Sequence, residues 1–431
     1  NARVRRPGEV GANPTLSRNR EFIETRVSNR ASRSTWRARA APSVEVTGRV
    51  HGITLTRLSC LCMRDFLSGG RRGQRSGPLN RKEIFVTTRV SFATRVGRSV
   101  LAALGAVSLS AAVLTAPAHA ADTGLFGTQD ATYDGVYRQS LAIAGLAAAD
   151  ARIPAAAVDW LADQQCADGS FEAFRSNTST PCSPSDPENF SGPDTNSTAM
   201  AAIALYLAGR TAPARDAIVW LNNVQNDDWG FPFYAGGASD ANSTALSVMA
   251  LQTVQPQDRS GRVPNAQEWL GTLKLKCASG GGLAYQKGSK ANGLASAQGL
   301  MGLAGALPVS AQEDLTADPT CRKRNTNANV GAFVATAIDD DGALTSDFGS
   351  GADYTSTGWA LLGLTAFGTG SSAVPTALAT LQNNVRSYAY ADNEVVPGAV
   401  GLLLLVAEAT DSNPRDFGGV NLVRALNRSL Q

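Results

Sequence analysis

"DTNSTAMAAIAL" at residues 194–205 and "DANSTALSVMAL" at residues 240–251 open on one shared motif, Asp-x-Asn-Ser-Thr-Ala, followed by an apolar run. Such a motif is either catalytic or a helix start used twice. The rest of the chain bears on the choice. Asp134 precedes "GVYRQSLAIAGLAA", Lys290 precedes "ANGLASAQGLMGLA", Asp353 precedes "YTSTGWALLGLTAF" and Asp392 precedes "NEVVPGAVGLLLLV". These six starts lie 39 to 63 residues apart, a period that signals repeated supersecondary units.

Each start opens a stretch rich in Ala and Leu that is apolar nearly all round, the pattern of a helix buried on most sides. A more amphipathic segment follows in most units: "PAAAVDWLADQQ" (154–165), "PARDAIVWLNNVQ" (213–225) and "PNAQEWLGTLK" (264–274). Each begins with Pro, which suits a first helical turn. Trp160, Trp220 and Trp269 are followed five positions later by Gln165, Gln225 and Lys274, and then by a glycine and aromatic loop. The fourth unit weakens to "FVATAIDDDGAL" and the fifth to "ALATLQNN". Inner helices more apolar than outer ones, six times over, predict an all-α domain: an (α/α)6 toroid of about six helix pairs.

"QCADGSF" at 165–171 resembles the Gln-x-x-x-Gly-x-Trp repeat of squalene cyclases, with Phe171 in the place of Trp. "DTNSTA" resembles the Asp-x-Asp-Asp-Thr-Ala stretch of class II terpene cyclases. The likeness is to the terpenoid cyclase/protein prenyltransferase α-α toroid superfamily, over roughly residues 125–430. That superfamily holds both catalysts and binders, so the resemblance implies a fold more than an activity.

The cyclase reaction needs a carboxylic acid in the middle of its motif. This chain offers Asn196 and Ser197, or Asn242 and Ser243, and neither pair can act as an acid. The other units present Val136, Asn292, Thr355 and Glu394 at that place, of which only Glu394 is acidic. The prenyltransferase reaction needs zinc held partly by His. The two histidines, His51 and His119, both lie before the expected mature domain, so no metal and no cofactor is expected.

Charge divides the chain. Residues 1–98 carry 21 Lys/Arg against 6 Asp/Glu, and residues 121–431 carry 18 against 30. Between them "SVLAALGAVSLSAAVLTA" (99–116), after Arg89, Arg95 and Arg98 and before "APAHA", has the layout of a secretory signal cleaved near Ala120. Residues 1–80 read as an unstructured or mis-assigned leader, residues 81–120 as the signal peptide and residues 121–431 as a single toroid domain. The expectation is an exported protein with no nucleic-acid partner and no membrane span in its mature form. Four cysteines then remain. Cys166–Cys182 and Cys277–Cys321 is the preferred of three pairings, because both bonds close local loops.

Two function classes stay open. One is a binding or interaction module for an apolar or mixed small molecule, or for an extracellular protein or glycan. Its candidate lining residues are Asp194, Asn196, Asp240, Asn242, Asp353, Trp359, Trp229, Phe231 and Tyr285. The other is a divergent cyclase-like or carboxylate-dependent glycan-active enzyme, with Glu394 and Asp341 as candidate acids. The Asp residues that open the units also read as N-caps, the loop aromatics as helix braces, and "DDDG" at 339–342 as a solvated acidic turn.

Overall fold

The computed structural model describes residues 123–431, apart from residues 306, 308, 309, 312, 313, 325 and 348. The expected leader and signal peptide lie outside these residues. The described residues are mainly helical and fall into consecutive pairs. Helices α1 (Gly135–Ala148) and α2 (Ala155–Asp163) form the first pair, α3 (Thr195–Leu207) and α4 (Thr211–Val224) the second. Helices α5 (Ala241–Val254) and α6 (Arg262–Thr272) follow, then α7 (Gly293–Ala304) and α8 (Asn327–Asp341), then α9 (Tyr354–Ala366) and α10 (Ala373–Asn383). The short α11 (Val385–Ala389) leads into a hairpin of β1 (Tyr390–Ala391) and β2 (Glu394–Val395). The last pair is α12 (Pro397–Ala409) and α13 (Leu422–Arg428).

The packing is cyclic. Helix α1 contacts α3, α3 contacts α5, α5 contacts α7, α7 contacts α9, α9 contacts α12, and α12 returns to α1. Their partners α2, α4, α6, α8, α10 and α13 each pack against this cycle. Burial follows the sequence pattern. Every residue of α5 from Ala241 to Leu251 is buried, whereas α4 buries only Ala214, Ala217, Ile218, Trp220 and Leu221. Among the described residues no helix is long and apolar enough to cross a membrane.

The prolines of the outer helices fall at the helix starts, as the sequence implies, with Pro154 as the N-cap of α2. Helix α4 starts at Thr211 and α6 at Arg262, which places Pro213 and Pro264 at the third helical position. The amide that proline lacks there would have no intrahelical acceptor in any case. The "DDD" acids are not a turn. Asp339, Asp340 and Asp341 form the exposed last turn of α8, and Gly342, at φ 76°, ends the helix. At the hairpin, Asp392 and Asn393 both take positive φ, which a two-residue primed turn requires, and β1 and β2 pair antiparallel with Tyr390 opposite Val395.

Disulfides join Cys166 to Cys182 and Cys277 to Cys321. Glu172 lies against the first pair in a grouping of metal-ligand type, but both of its sulfurs are spent in the bond.

Candidate functional site

Four inner helices start in the same way. Asp194 accepts a hydrogen bond from Ser197 N (2.7 Å), Asp240 from Ser243 N (2.8 Å), Asn292 from Ala295 N (2.7 Å) and Asp353 from Ser356 N (2.9 Å). These are N-caps, each satisfying one free amide of the first turn. Ser243 and Ser356 also donate a hydroxyl hydrogen bond to the same carboxylates.

Four residues after each cap stands a hydroxyl that holds the preceding loop. Phe171 N donates to Thr198 Oγ1 (3.0 Å), Phe231 N to Thr244 Oγ1 (2.9 Å), Leu283 N to Ser296 Oγ (2.8 Å) and Leu344 N to Thr357 Oγ1 (3.0 Å). The cap's own amide donates back to the carbonyl of the same loop residue in all four units. In the first unit Gln139 takes the hydroxyl's place, accepting from Phe126 N at 3.0 Å.

This geometry corrects the repeat register. The cap of α7 is Asn292, not Lys290, and α12 is preceded by Val396 rather than starting at Asp392. Asp134 precedes α1 without capping it and pairs instead with Arg138. Glu394 therefore leaves the place that the repeat gives it. It lies exposed in β2, opposite Ala391.

With Asp, Ser and Thr of the start motif committed to the fold, one of its residues is left without a local task. It is the residue two positions after the cap: Asn196, Asn242, Leu294 or Thr355. Tyr137, two positions before the clamp Gln139, is its counterpart in α1. All five line one cavity of about 410 Å³ among the first turns of the inner helices. In the sixth unit that position is Gly398, where an added Cβ would lie 3.0 Å from the stem of Arg138. One turn deeper, Gln298 and Trp359 reach the same cavity.

Of the candidate residues, the cavity brings together Asp194, Asn196, Asp240, Asn242, Trp359 and Tyr285. It leaves out three. Asp353 is occupied by Ser356. Phe231 is fully buried in the core, where its backbone is clamped by Thr244. Trp229 is exposed in the loop after α4, and its carbonyl accepts from Gln225 Nε2. Asp341 faces a separate cavity of about 530 Å³ with Asp340, Phe333 and Cys321. Tyr133, Tyr137, Phe233, Leu294 and Gln298 join the lining without having been singled out in the sequence, and Thr355, which stands at the place of the cyclase acid in its unit, joins them. The cap-to-clamp spacing of four, visible in "NGLAS" as in "DTNST", points to Leu294 and Thr355 once the correct register is known.

The cavity is acid-rich, although more of its lining surface is apolar than polar. Asp134, Asp194 and Asp240 line it, and no Lys or Arg does. Burial pushes the carboxyls of Asp194 and Asp240 up to about 6, against the hydrogen bonds from Ser197 and Ser243 that favour the charged form. Burial, then the charge of Asp240, raises the Tyr285 hydroxyl to about 12. Burial raises Tyr137 as well. Asn242 Nδ2 donates to Gln298 Oε1 (2.7 Å), and Gln298 Nε2 donates to the Tyr137 hydroxyl (3.4 Å). Thr355 Oγ1 and the Tyr388 hydroxyl lie 3.0 Å apart. Two residues of this lining each carry a buried polar atom with no partner among the described residues: Asn196 its acceptor Oδ1 and Trp359 its donor Nε1.

No family model matches the chain, and no curated protein matches it. Solved structures do resemble it at low identity. A protein from Actinoplanes is 15% identical, with a TM-score of 0.42 over 66% of this chain and 93% of that one. The ent-copalyl diphosphate synthase from Streptomyces platensis is 17% identical, with a TM-score of 0.41 over 63% of this chain and 50% of that one. An α-amylase from Clostridium perfringens is 12% identical, with a TM-score of 0.42 over 63% of this chain and 86% of that one. Likenesses of this size carry no weight for function.

Proposed function

We propose that residues 121–431 are an exported (α/α)6 toroid of the terpenoid cyclase/prenyltransferase type, and that its acid-rich cavity binds a hydroxyl-rich small molecule of the saccharide class. One observation carries this reading. Asn196 and Trp359 both line the cavity, and each carries a buried polar atom, the acceptor Oδ1 and the donor Nε1, that no described residue satisfies. A hydroxyl group can satisfy both kinds of atom, and a hydrocarbon can satisfy neither. The amides of Asn242 and Gln298 and the rings of Tyr137 and Tyr285 supply the mixture of polar edges and flat apolar faces that suits sugar rings. The two disulfides and the export-type layout at residues 99–120 support the extracellular setting.

A carboxylate-dependent glycan-active enzyme is the second reading, favoured by Asp194 and Asp240. Both line the same cavity, and burial holds both near the pKa of a working acid or base. The cyclase reading has less behind it, because the places that correspond to the cyclase acid carry Asn196 and Asn242 rather than acids.

Isothermal titration calorimetry of the purified chain against a panel of mono- and oligosaccharides, with a hydrocarbon of similar volume alongside, tests the binding reading. Saccharide binding that weakens about tenfold or more in Asn196→Leu and in Trp359→Phe supports it, since tenfold is about 1.4 kcal/mol, the scale of a lost buried hydrogen bond. Binding of the hydrocarbon alone, unaffected by Asn196→Leu, overturns it. Product formation that stops in Asp240→Asn establishes the enzyme reading instead.

A further inference from the structure

Another cavity, of about 310 Å³, lies between α11, the hairpin and α13. Arg386, Arg424 and Arg428 line it, with Tyr390 and Asn421, and no acidic residue does. The setting makes this grouping unusual. Residues 121–431 carry 30 acids against 18 bases, yet three of the four basic residues after position 325 converge here. None of the three guanidinium groups makes an ion pair or a side-chain hydrogen bond among the described residues; the ion pairs found there involve Arg138 and Arg210 instead. The backbone amides of Gly419 and Asn421, on the same lining, donate to no acceptor among the described residues. Three like charges held together on an acidic domain repel one another, and an anion between them removes that cost.

We infer that this cleft is an anion site that takes a doubly charged tetrahedral oxyanion, a phosphate or sulfate group, between Arg386, Arg424 and Arg428. Guanidinium groups present paired N–H donors in a plane, which match two oxygens of such a group at once, and three of them outnumber what a single carboxylate can accept. The site is separate from the acid-rich cavity, so it stands whether or not a saccharide binds there. The two also differ in charge: one is lined by three carboxylates and no base, the other by three guanidinium groups and no acid.

Arg386 and Arg428 sit in the last turns of their helices, where a cation also complements the helix end. Arg424 has no such second role and is the residue to change. The experiment titrates the full chain at low ionic strength with inorganic phosphate, inorganic sulfate and acetate, by calorimetry. Phosphate or sulfate binding at least tenfold tighter than acetate, weakened at least tenfold by Arg424→Ala and left unchanged by Arg415→Ala, is the expected result. Whichever oxyanion binds tighter names the natural group. Thermal unfolding of both variants checks that they fold. Absence of phosphate and sulfate binding, acetate binding as tightly as either, or an Arg424→Ala variant that folds and binds as the parent does, overturns the proposal.

Discussion

Gly145 of α1 and Gly401 of α12 touch backbone to backbone. A Cβ placed on Gly145 would lie 2.5 Å from the Gly401 carbonyl oxygen, and one on Gly401 would lie 2.4 Å from the Leu141 carbonyl. This is where the last inner helix meets the first, so the cyclic packing depends on two residues without side chains. Gly401→Ala is expected to push α12 away from α1 and to lower the unfolding free energy by about 1–3 kcal/mol, the usual range for overpacking. Gly271→Ala makes the contrast. Gly271 lies on the outer helix α6, and its nearest neighbour is the flexible tip of Lys274 at 3.5 Å. There the better helix propensity of Ala should raise stability by roughly 0.5–1 kcal/mol. Urea unfolding of both variants measures the difference.

The loop clamps should matter more than their exposed counterparts. Thr244→Val preserves shape but removes the acceptor for the buried Phe231 amide. A buried unpaired N–H costs about 1–3 kcal/mol. Thr272→Val, which removes an exposed hydroxyl bonded only to the Trp269 carbonyl of its own helix, should cost well under that. Equal unfolding midpoints for the two variants would refute the clamp.

The buried carboxyls of Asp194 and Asp240 set a pH dependence. Their pKa values stand near 6 in the folded protein, against an ordinary value of 3.8. The folded state therefore holds protons that the unfolded chain releases between about pH 4 and 6. The stabilisation from these two groups is complete below about pH 4 and is lost as pH rises through about 6. Asp130, Asp186 and Asp258, whose carboxylates accept local hydrogen bonds, have lowered pKa values and act in the opposite sense, at more acid pH. Asp240→Asn keeps a capping side chain but removes one titration. Its unfolding midpoint should change less between about pH 4.5 and 6.5 than that of the parent, as scanning calorimetry would show.

The disulfides should differ in worth. Cys166–Cys182 spans 16 residues and Cys277–Cys321 spans 44. On the chain-entropy account the shorter bond contributes about 3 kcal/mol and the longer about 4 kcal/mol. Paired Cys→Ser variants should unfold at lower denaturant concentration, the 277/321 pair by the larger margin. Labelling of the native protein with a thiol reagent should find these four cysteines unreactive.

Much of the fold is legible in the sequence because its causes are local. A cap, a clamp four residues later and an all-apolar run are features of consecutive residues, and they recur in "DTNSTA", "DANSTA" and "DYTSTG". The fourth unit misleads at Lys290 because two candidate starts lie two residues apart, and the bonds from Ala295 N to Asn292 and from Leu283 N to Ser296 separate them. Glu394 resembles a motif acid for the same reason, until the hairpin takes it out of the helix. The acids of the "DDDG" segment cannot be told from a turn by composition, since an exposed helix end and an exposed turn are equally polar.

The sequence by itself determined the repeat, the alternation of buried and half-buried helices and the capping by Asp194, Asp240 and Asp353, because hydrophobic burial and the free amides of a first turn act within a few residues of their cause. The tertiary structure alone decided which residue of each start motif faces the cavity. Asn196, Asn242 and Tyr137 become neighbours only when the inner helix starts converge on one space, and Gln298 joins them from 56 residues beyond Asn242. That convergence rests on the closing contact of Gly145 with Gly401, made across more than 250 residues of chain. No local preference encodes such a contact, and the packing of the whole ring does.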